Sequence, residues 1–177
     1  LLEKKGLITH ITRPVDPVYE ISTLIKKLDG KPLLFQNVKG HTMPVISNIC
    51  ATRDLVCLGL GIERKALIPK MAEAIDHPKA PALEDAGGYT DIGADLTKLP
   101  ILTYYPFDGG PYLASGIAFS HDREYGLNAS YHRSMMFEGD DGKFVKDKFV
   151  MRILQRDFDA YIKRGLREFA FCIGNSI

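Results

Sequence analysis

The sequence has few cysteines, almost no net charge and no long apolar run. Its three cysteines, Cys50, Cys57 and Cys172, show no CxxC spacing and sit in apolar segments. That argues against a zinc site or a disulfide framework and for buried thiols in a reducing compartment. Lys and Arg total 23 against 22 Asp and Glu, so a formal charge of +1 offers no electrostatic attraction to nucleic acid or to an anionic membrane. No apolar stretch approaches the roughly 20 residues that cross a bilayer, and the first residues lack the charged, apolar and small-residue regions of a signal peptide. A cytoplasmic location is expected. There is also no initiating Met, and "REFAFCIGNSI" stops just as an apolar strand delivers the chain to its far side. Both features lead us to expect a piece of a longer molecule.

What is present is ordinary globular material: 177 residues, 45% apolar, enough for one domain with a real core. "LITHIT" reads as a first strand. Asp16-Pro17 reads as the N-cap and first residue of a helix that carries Val18, Ile21, Leu24, Ile25 and Leu28 on one face and ends at Asp29-Gly30. "PLLFQNV" and "MPVISNICA" are buried strand-like segments flanking a turn. Glu63 to Asp76 has a helical pattern in which Pro69 implies a break or a new start. Pro, Gly and Asp between Ala80 and Pro100 suggest an irregular loop. Beyond it, "ILTYY", "YLASGIAFSH", "LNASYHRSMMF" and "FVMRIL" are β-rich runs separated by "DGG", "DREYG" and "EGDDGK", which predicts an antiparallel meander over residues 101–154. "RDFDAYIKRG" reads as a last helix with Gly165 just past its end, and "EFAFCIG" as a last strand. There are no internal repeats. The fold class expected is α+β, with a β part like a small barrel or sandwich.

The stretch "GLNASYHRSMMF" places an amide, a hydroxyl, an imidazole and a guanidinium close together. With a strand's period of two, Asn128, Ser130 and His132 point one way, and Tyr131 and Arg133 the other. Locally this is ordinary polar decoration of a half-exposed strand. Its company is more suggestive, because Ser115-Gly116 before it and Arg152 after it are expected near the same end of a sheet. Small residues with two Arg suit a phosphate and a flat ring.

Longer runs carry a resemblance. "PLLFQNVKGHTMPVISNICATRDLVCLGLG", "DLTKLPILTYYPFDGGPYLASGIAFSHDREYGLNASYHRSMMF", "MRIL" and "EFAFCIG" resemble, in order and spacing, the N-terminal portion of the UbiD-like decarboxylases. These enzymes use prenylated FMN to remove or add a carboxyl group on aromatic and α,β-unsaturated acids. The resemblance implies an antiparallel split β-barrel of flavin-reductase type flanked by helices. Residues 1–100 would form an α/β segment packing on a cofactor-binding sheet over 101–177, and the family's C-terminal domain is absent from the sequence.

For individual residues, the resemblance puts Asn128 at the metal-ligand Asn that opens an N-x-x-x-x-R motif, where an amide oxygen suits a hard cation bridging to a phosphate. The cation expected is divalent, Mn2+ above others, with K+ as a further ion. Ser130, Tyr131, His132 and Arg133 fall in the segment that lines the prenylated FMN. Arg133 is the expected catalytic residue, holding the substrate carboxylate with its planar fork. Arg152, Ile153 and Leu154 match a second lining segment, and Ser115 a small hydroxyl residue near the phosphate. A flavin prenyltransferase supplying the cofactor, a small carboxylic acid substrate and a homo-oligomer when full length are the partners implied.

The departures are specific. The family's second ligand, a His just past the "MRIL"-like segment, is replaced by Gln155-Arg156-Asp157, and Asp157 also suits the first turn of a helix. The family's third ligand (a Glu), its acid/base Glu residues and a phosphate-contacting Lys lie beyond the strand equivalent to "EFAFCIG". The chain by itself is therefore expected to be inactive. His41, after a Gly turn, and Asp108, in a Gly-Gly turn, read as structural, as do Met135 and Met136. Two other readings remain: a non-catalytic assembly subunit that keeps the scaffold, and a split-barrel FMN reductase, which leaves "LLFQNVKG" unexplained.

Overall fold

The computed structural model describes residues 1–80, 82, 84, 90, 93–124, 126–154, 162–165 and 168–174. The N-terminal half is built on a small mixed sheet. Strand β1 (Thr9–Ile11) runs parallel to β2 (Leu33–Phe35), and β3 (Val45–Ser47) pairs antiparallel with β2 on its other side. The apolar run at β2 makes it the central strand. Leu33 and Phe35 are fully buried with Val15 and Ile21, and Val38 and Leu102 complete this core. Helix α1 (Glu20–Lys27) covers it with Ile21, Leu24 and Ile25, the face expected from their spacing.

Helix α1 begins later than Asp16-Pro17 suggests, because tertiary pairing takes the intervening residues. Asp16 accepts a hydrogen bond from the Val18 amide at 2.8 Å, closing a local turn. Thr103 then bonds both sides of Val18: its amide donates to Pro17 O at 3.2 Å and its carbonyl accepts from Tyr19 N at 3.0 Å. Tyr19 consequently sits at φ +64°, outside helical space. The same pairing ties the segment around residues 101–104 to the N-terminal core.

Helix α2 (Arg53–Leu60) has no counterpart among the expected elements. It is capped by Thr52, whose hydroxyl accepts from Leu55 N, and closed by Gly61 in the left-handed region. The break expected at Pro69 is realised as a fresh start: a 3-10 turn at Arg64–Ala66 precedes α3 (Leu67–Asp76). Pro69 thus lies in the first turn, where a missing N–H costs nothing. Among the described residues of the irregular stretch from Ala80 to Pro100 there is only a 3-10 turn at Leu96–Lys98.

The C-terminal half contains β4 (Tyr112–Leu113), β5 (Ile117–Asp122), β6 (Gly126–Tyr131), β7 (Ser134–Glu138), β8 (Phe144–Met151) and β9 (Ala170–Cys172). The expected meander is corrected here. Hairpins β5–β6 and β7–β8 form as the turn signals require, but β6 does not pair with β7. Instead there are two three-stranded antiparallel sheets, ordered β4-β7-β8 and β6-β5-β9. Turn chemistry fixes each hairpin locally, whereas the pairing of one hairpin with another is a long-range choice that no local signal encodes. The fold is α+β as expected, with no closed barrel among the described residues. Most of the expected last helix, including Gln155-Arg156-Asp157, lies outside the described residues. Gly165, at φ +72° with its amide bonded to Ile162 O, closes the part that is described. No helix among the described residues is long and apolar enough to cross a membrane.

Candidate functional site at the sheet crossover

Two of the passages the chain makes between the two C-terminal sheets, from β4 to β5 and from β6 to β7, lie side by side. Leu113 pairs with Ser134 at the end of one sheet, and Ile117 with Tyr131 at the end of the other. The connecting residues, Ala114–Gly116 and His132–Arg133, are therefore neighbours. The end of β8 joins them, because Met151 pairs with Ser134 and the Arg152 amide donates to Arg133 O at 3.3 Å. The structure thus brings Ser115, Tyr131, His132, Arg133 and Arg152 to one crossover, although they belong to two sheets and not to one end of a single sheet.

The two sides of β6 differ chemically. Its burial alternates residue by residue, with Leu127, Ala129 and Tyr131 exposed and Asn128 and Ser130 turned inward. The expected split of side chains along this strand is what the backbone produces. Tyr131 is 73% exposed and Leu154 61%, so a tyrosine face and a leucine flank the crossover uncovered. Arg133 and Arg152 are exposed, and neither guanidinium has a carboxylate partner among the described residues. Two unpaired guanidinium forks beside apolar surface suit an anion attached to a flat group. Ile153, between Arg152 and Leu154 in the sequence, is half-buried.

On the inward side, Asn128 Nδ2 donates to Ser130 Oγ at 3.4 Å, and Ser130 Oγ lies 2.8 Å from His132 Nε2. An amide nitrogen can only donate, so this contact turns the Asn128 amide oxygen away from Ser130. Ser130 in turn can donate to His132, which is 3% exposed. Ser130 and His132 therefore sit on the opposite side of the strand from Tyr131 and Arg133. The residues expected to line one cofactor are divided between two faces, and only a ligand reaching around the strand end meets both.

Two features on this inward face were not anticipated. Ser120 lies directly across from Asn128 in the β5–β6 register. It is buried, and its hydroxyl has no hydrogen-bond partner among the described residues. The register was in principle readable: the "DREYG" turn pairs Asp122 with Gly126, which places Ser120 opposite Asn128. The second feature is an ion pair between buried Asp122 and Arg164, Oδ2 to Nε 3.0 Å, with Glu124 3.4 Å from Arg164 Nη1. Asp122 also accepts from Glu124 N at 2.7 Å. Separated by some 40 residues in sequence, this pair has no local signature.

Asn128 and Ser120 offer an amide oxygen and a hydroxyl on adjacent strands, the neutral oxygen donors a hard cation accepts. The described residues contain no group of three His, Cys, Asp or Glu side chains able to hold a metal. The donors fit one side of a cation site, with charged ligands to come from elsewhere.

The family models agree with this architecture. The N-terminal domain of 3-octaprenyl-4-hydroxybenzoate carboxy-lyase matches residues 1–75, and the Rift-related domain of the same enzyme matches residues 74–177. The chain belongs to the UbiD family. An anhydromevalonate phosphate decarboxylase of Methanosarcina mazei is 36% identical over 86% of this chain and 34% of its own length. The UbiD-class enzyme HmfF from Pelotomaculum thermopropionicum, in an evolved dimeric form in complex with prFMN, superposes with a TM-score of 0.83 at 31% identity, over 99% of this chain and 42% of that one. The same enzyme in complex with FMN gives 0.77 at 31% identity, over 92% and 37%. This chain spans about a third of the length of the curated relatives it matches.

Proposed function

We propose that this chain is the cofactor-binding part of a prenylated-FMN-dependent carboxy-lyase acting on an α,β-unsaturated or aromatic carboxylic acid. The observation that carries this reading is the crossover, where Ser115, Tyr131, Arg133 and Arg152 converge in a chain of UbiD-family sequence. The curated relatives act on anhydromevalonate phosphate, which favours the unsaturated acid over the aromatic one. The two three-stranded sheets are proposed as the halves of a split barrel, with residues 1–100 packing against 101–177.

Prenylated FMN, when bound, supplies an electron sink for the carbon that loses CO2. The protein's part is placement and charge. Arg133, exposed and without a carboxylate partner among the described residues, would hold both oxygens of the substrate carboxylate and keep them oriented. Tyr131, Ile153 and Leu154 offer apolar surface to a ring, while Ser115 and Arg152 offer donors to a phosphate. Asn128 contributes its amide oxygen to a divalent cation, Mn2+, with K+ as a further ion. Ser130 and His132 approach the cofactor from the inward face. His132 is turned toward Ser130, away from Arg133, so the proton that replaces CO2 is assigned to an acid outside residues 1–177. The same reading carries a flavin prenyltransferase as cofactor supplier and a homo-oligomeric full-length enzyme.

Two substitutions test the assignment in the full-length protein. Asn128→Ala should lower metal and flavin occupancy together, since a cofactor phosphate without the cation would lose charge-assisted contacts. Arg133→Ala should leave most of the flavin bound and reduce turnover by about 10²-fold or more, the scale of losing one transition-state charge contact. Wild-type turnover in both variants would sink the site.

A further inference from the structure

We infer that Ser120 is a ligand of the cation held by Asn128, an inference that rests on the metal reading of Asn128 above. The two residues are in register across β5 and β6, which places their Cβ atoms about 5 Å apart on one face of the sheet. Ser120 is 4% exposed and its Oγ has no hydrogen-bond partner among the described residues. A buried hydroxyl in that condition is costly, and proteins retain few of them. Its same-face neighbour Ala118 is fully buried without a polar side-chain group.

The Asn128 amide gives one of its two N–H donors to Ser130 and carries an oxygen acceptor. On the metal reading of Asn128, a cation accepts lone pairs from that oxygen and from the Ser120 hydroxyl together, and the anion alternative is an outcome of the test. Asp122, the next same-face residue along β5, is engaged by Arg164 at 3.0 Å and by the Glu124 amide at 2.7 Å. That leaves Ser120 as the oxygen of β5 with no other role.

The test uses the full-length protein freed of flavin, with Mn2+ and, in separate titrations, inorganic phosphate as probes, and compares wild type, Asn128→Ala and Ser120→Ala by calorimetric titration and thermal unfolding. Ser120→Ala should weaken Mn2+ binding at least tenfold. In cation-free protein it should leave Tm unchanged or raise it, because it removes an unsatisfied buried hydroxyl. At saturating Mn2+ the order should invert, with the wild type melting higher. If Asn128→Ala abolishes Mn2+ binding while Ser120→Ala stays within twofold of wild type, the role given to Ser120 is wrong and the metal reading survives. If neither substitution affects Mn2+, the metal reading of Asn128 fails and Ser120 falls with it. A lower Tm for cation-free Ser120→Ala would show the hydroxyl satisfied by a buried water. Weakened binding of inorganic phosphate with unchanged Mn2+ affinity would make Ser120 an anion contact. Either of these last results overturns the inference.

Discussion

Replacing Gly116 by Ala should destabilise the sheet that carries Asn128. A Cβ added at Gly116 would lie 2.0 Å from Phe171 Cζ and 2.1 Å from Cε1. Carbon atoms pack at about 3.5–4.0 Å, so the ring must retreat by roughly 1.5 Å. Its backbone cannot follow, because Phe171 is paired with Ala118 in the β5–β9 ladder. The ring must therefore rotate, which disturbs its contact with Phe149, centroids 5.2 Å apart at 48°. Overpacking costs about 1–3 kcal/mol and the aromatic pair contributes about 0.5–1.5 kcal/mol. A total near 3 kcal/mol corresponds to a fall in Tm of roughly 6–12 °C for a chain of this size. Thermal unfolding measures the loss, and amide exchange at Ile117–Phe119 localises it. Gly116→Ala/Phe171→Leu should recover at least half of the lost Tm, since the smaller side chain vacates the clash. A Gly116→Ala protein melting within about 1 °C of wild type would refute the packing described.

Two further substitutions probe the N-terminal half. Thr52→Ala removes the hydroxyl that accepts from Leu55 N at 3.2 Å and should cost about 1 kcal/mol in denaturant unfolding, with Thr52→Ser close to wild type. Burial, with Asp108 adding to it, holds the Tyr104 phenol above the usual tyrosine range. The native state therefore keeps a proton that the unfolded chain has lost, so the stability present at neutral pH declines as pH rises past about 10 and through the raised native value. Tyr104→Phe should flatten that alkaline decline, and an ultraviolet titration should show one tyrosine fewer ionising late. An unchanged alkaline limb would place the Tyr104 hydroxyl in water.

Local chemistry in the sequence predicts local structure well. The period-two alternation of β6, the hairpin at "DREYG", the stop at Gly30 and the new helix start around Pro69 all follow from residue type and spacing. The failures are of two kinds. Helix α2 was legible in Thr52 as cap and Gly61 as stop, but the residues between the "MPVISNICA" segment and Glu63 were assigned to no element. The other failures are long-range. Pairing with Thr103 delays α1 and forces Tyr19 to positive φ, and the exchange of strands between hairpins makes two sheets where adjacency suggests one. The site divides the same way. Asn128, Tyr131, His132 and Arg133 stand out locally, Ser115 and Arg152 were expected beside them from the order of strands, and resemblance gave these residues their roles. Ser120 needed the register, and the Asp122–Arg164 pair needed the tertiary fold.

The central claim is that this chain binds prenylated FMN, and the mass of the bound flavin tests it most directly. The full-length protein, produced together with a flavin prenyltransferase, should purify with a flavin heavier than FMN by one prenyl unit. Recovery of FMN alone, or of no flavin, under conditions that load another UbiD-family enzyme would contradict the account.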